Sequence, residues 1–192
     1  MKFGEVVVKI LEKEGITDVF GIPGASINSI YRYLGQSKRI HHYTARHEEA
    51  AVHAAGAYFR ASGRLAVAMA TSGPAATNFV TGLYTNNIDS IPVVAITGQA
   101  VTAQIGLDAF QCVDIAGIAK SVCKETWCIT DVTQGVEILR TAFWTAREGK
   151  PGAVLVDIPL DIQMKDVEFD PDAYTPLPIQ KPVAEPEQIR KA

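Results

Sequence analysis

The sequence is poor in cysteine, has no long apolar run and carries no large surplus of either charge. Its three cysteines, Cys112, Cys123 and Cys128, include no CxxC pair. Their odd number argues against the disulfide framework of a small secreted domain and for a reducing compartment, with the cytoplasm as the expected location. The most apolar segments, residues 65–71 and 91–97, are each seven residues long, far from the roughly 20 needed to span a bilayer. No membrane association is expected. The first 20 residues lack the basic start, apolar run and small-residue cleavage site of a signal peptide. With 18 Lys and Arg against 21 Asp and Glu the net charge is −3, so a Lys/Arg-driven nucleic-acid surface is a poor reading. Neither GxGxxG nor GxxxxGK[ST] occurs, which excludes a dinucleotide or P-loop phosphate site built by this chain alone. His41, His42, His47 and His53 offer no i,i+4 pair, and no metal site is expected.

What the 192 residues do contain is enough apolar material for a core, 47% hydrophobic against 20% charged. Residues 4–14 read as an amphipathic helix, with Val7, Ile10 and Leu11 on one face and Gly15 as its stop. Asp18–Gly21 reads as a strand entering the turn Ile22-Pro23-Gly24, and a helix begins at Ser26 or Asn28. Further strands are expected over residues 40–44, 65–70, 92–97, 123–129 and 153–157, with Gly98 as a turn. Helices are expected over Glu48–Ser62, from the turn Ser72-Gly73-Pro74 to about Asn86, over residues 114–119, and over Val132–Arg147 behind an Asp131 cap. Short apolar strands alternating with helices predict an α/β fold: three layers, with a mostly parallel six-stranded sheet covered on both faces. The domain is expected to span residues 1–165. Residues 166–192 hold Pro171, Pro176, Pro178, Pro182 and Pro186 and read as a proline-rich linker, ending in the opening of another helix.

In open α/β sheets ligands are received at the carboxyl ends of the strands. Four groups fall there: Gly21-Ile22-Pro23-Gly24, Arg46-His47-Glu48, Thr71-Ser72-Gly73-Pro74 and Thr97-Gly98-Gln99. Glycine and proline end strands everywhere, but jointly these groups outline a cleft. Glu48 stands before the very apolar helix of residues 50–57, where a carboxylate with restricted solvent can pass a proton to a ring nitrogen. It can equally be an exposed first-turn acid favoured by the helix dipole, and Glu49 shares that ambiguity. The cysteines have no convincing histidine partner and read as packed thiols.

At Arg46-His47-Glu48, Thr71-Ser72-Gly73-Pro74-Ala75-Ala76-Thr77-Asn78, Asp89-Ser90-Ile91-Pro92, Ile96-Thr97-Gly98-Gln99 and Gly106-Leu107-Asp108-Ala109-Phe110-Gln111 the sequence resembles the amino-terminal pyrimidine-binding domain of thiamine-diphosphate enzymes. Within these the likeness is to the acetohydroxyacid (acetolactate) synthase and glyoxylate carboligase group, and it runs in order over residues 4–164. The resemblance implies a carboligase that decarboxylates a 2-oxo acid, pyruvate first, and joins what remains to a second carbonyl compound. It implies that Glu48 bonds the aminopyrimidine ring of thiamine diphosphate, with Pro74 and Asn78 beside that ring and Gly24 in the loop approaching it. Gln99, Phe110 and Gln111 would lie near the substrate, with Glu48 and Gln111 as the catalytic pair.

Two features depart from the family. Many synthases have glycine where this chain has Ala75. The tail from Val167 to Pro178 looks like glyoxylate carboligase, yet that enzyme is known for an apolar residue where this chain has Glu48, which favours the synthase. The family's GDG motif and downstream Asn-Asn, which hold the diphosphate and Mg²⁺, are absent in that arrangement; Asn86-Asn87 reads as a helix-end feature. Mg²⁺, and FAD where present, would then belong to domains outside this chain, and Glu185 to Ala192 resembles the start of a central domain. The implied picture is an excised, inactive half-site that needs the diphosphate-binding domain of a partner subunit, most simply in a homo-oligomer. A subunit of a split 2-oxo-acid decarboxylase and a noncatalytic assembly module using residues 50–59 and 77–84 are the alternatives.

Overall fold

Six short strands build the centre of the chain, the four inner ones apolar and largely buried and the two edge ones partly exposed. The structure, a computed structural model, describes residues 1–180 and 183–191. Helix α1 (Phe3–Lys13) buries Phe3, Val6, Val7, Ile10 and Leu11 and ends before Gly15, whose φ is +77°. It leads into β1 (Asp18–Gly21), α2 (Asn28–Leu34) and β2 (His41–Thr44). Next come α3 (Glu48–Ser62), β3 (Val67–Ala70), α4 (Pro74–Thr77), α5 (Val80–Ile88) and β4 (Val93–Gln99). The remainder is α6 (Ile115–Ala119), β5 (Glu125–Cys128), α7 (Val132–Arg147), β6 (Ala153–Pro159), α8 (Leu160–Met164) and α9 (Pro186–Lys191). Among the described residues no helix is long and apolar enough to cross a membrane.

The strands pair in the order β2-β1-β3-β4-β6-β5, and every pairing is parallel. The expected three-layer α/β fold is thus present. Alternation along the strands sorts two cores. Val67, Met69, Val94, Ile96, Val154 and Val156 meet the apolar faces of α1, α2 and α7. Ala66, Ala68, Ala70, Ala95, Ala153 and Leu155 meet α3, α4, α5 and α6. The second core is built from small side chains, which lets its helices lie close to the sheet.

Two sequence expectations change. Gly98 is a strand residue, paired with Ile158, rather than a turn; a Cβ there would lie 2.2 Å from the Ser26 carbonyl oxygen, so glycine is required for a close approach. The helix expected up to Asn86 is two helices, because Phe79 N–H bonds back to Ala76 O, three residues away, and tightens the path at Asn78. Residues 160–164 form α8. Residues 166–174 lie against the body. Val167 exchanges backbone bonds with Met1. Tyr174, only 4% exposed, donates to Glu14, which also takes Arg147. Lys181, Pro182 and Ala192 of the expected linker and final helix lie outside the described residues. Asn86 is buried near the end of α5, its amide donating to Val52 O and Gly82 O.

Candidate active site

The chain crosses over β1 on its way from β2 to β3, so loops leaving β1 and β3 diverge from adjacent strands at the sheet's carboxyl edge. There the turn after β1 rests on the turn after β3. Ser26 N–H donates to Thr71 Oγ1 (3.1 Å), the Ser26 and Ser72 hydroxyls are 2.9 Å apart, and a Cβ on Gly24 would lie 2.6 Å from that of Thr71. Gly73 then takes φ +64°, a conformation that favours glycine, and Pro74 opens α4.

Glu48 is the first residue of α3. His47 caps that helix, its Nδ1 accepting from Glu49 N–H at 3.3 Å. Asn78, at the end of α4, donates from Nδ2 to Glu48 Oε2 at 2.8 Å. Both side chains are half-buried, and among the described residues Glu48 Oε1 takes no hydrogen bond. Gln111, with φ +53°, sits against Gly73; a Cβ on that glycine would lie 2.7 Å from Gln111 Cβ. Pro74 and Gln111 are exposed, and Phe110 is 87% exposed. The edge therefore joins Gly24 to Thr71, Glu48 to Asn78, and Gly73 to Gln111, with Pro74, Phe110 and Gln111 exposed along it. Ala75 is buried in the alanine-rich core.

Gln99, expected near the substrate, is 2% exposed and turned inward. Its Nε2 donates to Val113 O (2.7 Å) and Asp157 Oδ2 (2.9 Å), while its Oε1 accepts from Ala100 N–H. Thr97 Oγ1 donates to the other oxygen of Asp157 at 2.6 Å. Burial pushes the Asp157 carboxyl up to about 7, against the hydrogen bonds from Thr97 and Gln99. Burial, then the charges of Asp157 and Asp114, push the neighbouring Cys128 thiol up to about 12, and burial does the same to Cys123. These two are packed thiols, as expected; Cys112 donates to Gln104 O. At Asp161 burial opposes the charge, but two hydrogen bonds from Thr102 outweigh it and hold the carboxyl below its ordinary range.

Sequence reasoning missed Asp157 and Asp161. The signal was present: an acid inside the run Ala153-Val154-Leu155-Val156-Asp157-Ile158 must be buried, and a buried acid requires partners. Among the described residues, no group of three or more His, Cys, Asp or Glu side chains is placed to hold a metal ion.

Comparison with known proteins gives this edge its context. A family model described as thiamine pyrophosphate enzyme, N-terminal TPP binding domain, matches residues 1–118. A glyoxylate carboligase from Escherichia coli O157:H7 is 46% identical over 193 residues, which cover all of this chain and 32% of that protein. An acetolactate synthase from Mycobacterium bovis is 44% identical over 190 residues, 98% of this chain and 31% of that protein. A probable acetolactate synthase large subunit from Methanocaldococcus jannaschii is 43% identical over 200 residues, all of this chain and 33% of that protein. The chain spans about a third of the length of the curated relatives it matches. With a parallel six-stranded sheet whose carboxyl edge gathers Gly24, Glu48, Gly73 and Asn78, and with the family model covering more than half its length, the chain belongs to the N-terminal TPP binding domains of thiamine pyrophosphate enzymes.

Proposed function

We propose that this chain is the pyrimidine-binding half-site of a carboligase that decarboxylates a 2-oxo acid, pyruvate first, and joins the remainder to a second 2-oxo acid. The observation that carries this reading is the Glu48–Asn78 pair. An aminopyrimidine ring needs a partner that can share a proton with a ring nitrogen, and a half-buried carboxylate with one oxygen held and the other open meets that need. Thiamine diphosphate, when bound, supplies the nucleophilic carbon and the electron sink for decarboxylation. Asn78 holds the carboxylate, Glu48 shares the proton at Oε1, and Gly24 and Pro74 border the ring. Gln111, packed on Gly73, faces the substrate with Phe110 at its side.

The open face supports a site completed by a diphosphate-binding domain on a partner subunit, in a homo-oligomer. Mg²⁺, and FAD where used, would be bound by domains beyond this chain, and the chain alone would be inactive because half the catalytic groups are absent. The 46% identity to a glyoxylate carboligase favours tartronate-semialdehyde synthesis as the second reading; Glu48, unlike the apolar residue of that group, favours the synthase. The test is carboligation by the full-length gene product, with thiamine diphosphate, Mg²⁺ and FAD, on pyruvate and on glyoxylate. With Glu48 changed to Gln, kcat should fall on the order of 100-fold. The preferred acid then names the subfamily. Full activity in the Glu48→Gln protein would overturn the proton-sharing role of Glu48.

A further inference from the structure

Phe110 and Gln111 ride on the loop of residues 100–114, between β4 and α6, and that loop is fastened at both ends to carboxylates of one neighbouring segment. At its entrance Asp161, on α8, accepts from Thr102 N–H (2.8 Å) and Thr102 Oγ1 (2.6 Å). At its exit Gln99 bridges, with one Nε2 hydrogen on Asp157 of β6 and the other on Val113 O. Across the loop Cys112 Sγ donates to Gln104 O at 3.4 Å. Only the tip is free, with Leu107 and Phe110 exposed.

A carboxylate inside an apolar central strand is costly and survives only if its oxygens are bonded. Here one oxygen is held within the sheet by Thr97 of β4 and the other leads through Gln99 to the loop, and neither bond touches Glu48 or Asn78. Their reach ends at Val113, two residues from Gln111. Beside them lies a cavity of about 530 Å³, lined by Gln99, Leu107, Cys112, Cys128 and Asp157 among others, which gives a released loop room to move.

We propose that Asp157 is a positioning residue: through the Gln99 amide it fixes Val113, and with it the direction in which Gln111 and Phe110 face the open edge. What that edge binds rests on the carboligase reading above; the fastening does not.

Asp157→Leu keeps the side chain's branching, with more bulk, and removes both acceptors. Asp157→Asn still offers an oxygen to Gln99 and turns its NH₂ to the Thr97 hydroxyl, which can accept. In this chain the readouts are maleimide alkylation of Cys112 and amide hydrogen exchange over the loop. Asp157→Leu should speed both about tenfold while exchange in α3 stays the same, and Asp157→Asn should resemble the parent. In the full-length protein, Asp157→Leu should lower kcat about tenfold while the Kd for thiamine diphosphate stays within about twofold. If Asp157→Leu does not fold, Gln99→Met cuts the same link, leaves Asp157 its Thr97 bond, and carries the same expectation. Parent-like exchange and alkylation in a folded variant, or cofactor affinity falling in step with kcat, overturns the proposal. Should the full-length protein show no carboligation with Glu48 intact, the functional reading fails alone, and the exchange arm still decides whether Asp157 holds the loop.

Discussion

Glu48 and Asp157 stand at the carboxyl edge of the same parallel sheet, in opposite surroundings. Glu48 opens the helix after edge strand β2, is half-buried, and has one oxygen on Asn78 and one open. Asp157 lies within β6, between β4 and β5, is sealed from solvent, and has both oxygens bonded. A carboxylate whose lone pairs are spent inside the protein holds structure in place; one with an oxygen left over can exchange a proton with a ligand. Position on the edge alone does not separate the two roles, whereas the hydrogen-bond partners do.

The largest effect should come from breaking the junction between these halves. Gly98 pairs with β6 while its Cα faces Ser26 O, which also accepts from Gln163 Nε2 at 2.7 Å. The obstacle to a Cβ is backbone, so a strand or a loop must shift. Gly98→Ala should cost about 3 kcal/mol in urea unfolding and loosen exchange in both the turn after β1 and the loop of residues 100–114. An unchanged midpoint would mean that the two halves are independent.

The next effect separates the carboxylates by pH. The ordinary Asp value is 3.8 and that of native Asp157 is about 7, so the folded state keeps its proton where the unfolded chain has lost it. The stability this proton confers is full near pH 4, declines as pH rises, and is gone above about 7. Asp114, at the head of α6, adds its charge to the same effect; Thr97 and Gln99 from β4 and Cys128 from β5 oppose it. Between pH 5 and 8 the parent should lose about 2–3 kcal/mol relative to Asp157→Asn. Burial lowers His42 and gives the opposite slope in this window, but His42 is common to both proteins and cancels in the difference. Parallel stability curves would show that Asp157 is ionised throughout.

Legibility in the sequence divides along the same line. Glu48–Ser62 was readable from its run of small residues ending at Gly63, and Val132–Arg147 from the Asp131 cap and the periodicity behind it. In the open half the turns Ile22-Pro23-Gly24 and Ser72-Gly73-Pro74 carry local signals of glycine and proline, although Asn78 reaches Glu48 across 30 residues. The closed half was not legible. Gln99 meets Asp157 across 58 residues, Thr102 meets Asp161 across 59, and Tyr174 meets Glu14 across 160. Such pairings depend on which strands become neighbours, and strand order has no local signature. Gly98 was misread for the same reason: its crowding neighbour, Ser26, is distant in sequence.

The smallest effect on stability, and the sharpest test of the comparison, lies at Asn78. Its amide bonds a carboxylate that water can also reach, so Asn78→Ala should cost only about 0.5–1 kcal/mol. Yet the bond orients Glu48, and a loosely held proton-sharing group loses the alignment on which its rate depends; kcat of the full-length protein should fall about tenfold. Asn78→Asp keeps the shape but sets a second carboxylate against Glu48 Oε2, where the two cannot both ionise comfortably. It should therefore lose more activity than the alanine variant, and weaken cofactor binding as well. Steady-state kinetics with cofactor titration, set beside urea unfolding of this chain, separate the effects. If Asn78→Ala instead leaves kcat intact and costs several kcal/mol, the Glu48–Asn78 pair is a fastening of the Asp157 kind, and proton exchange must be sought at another residue of the open edge.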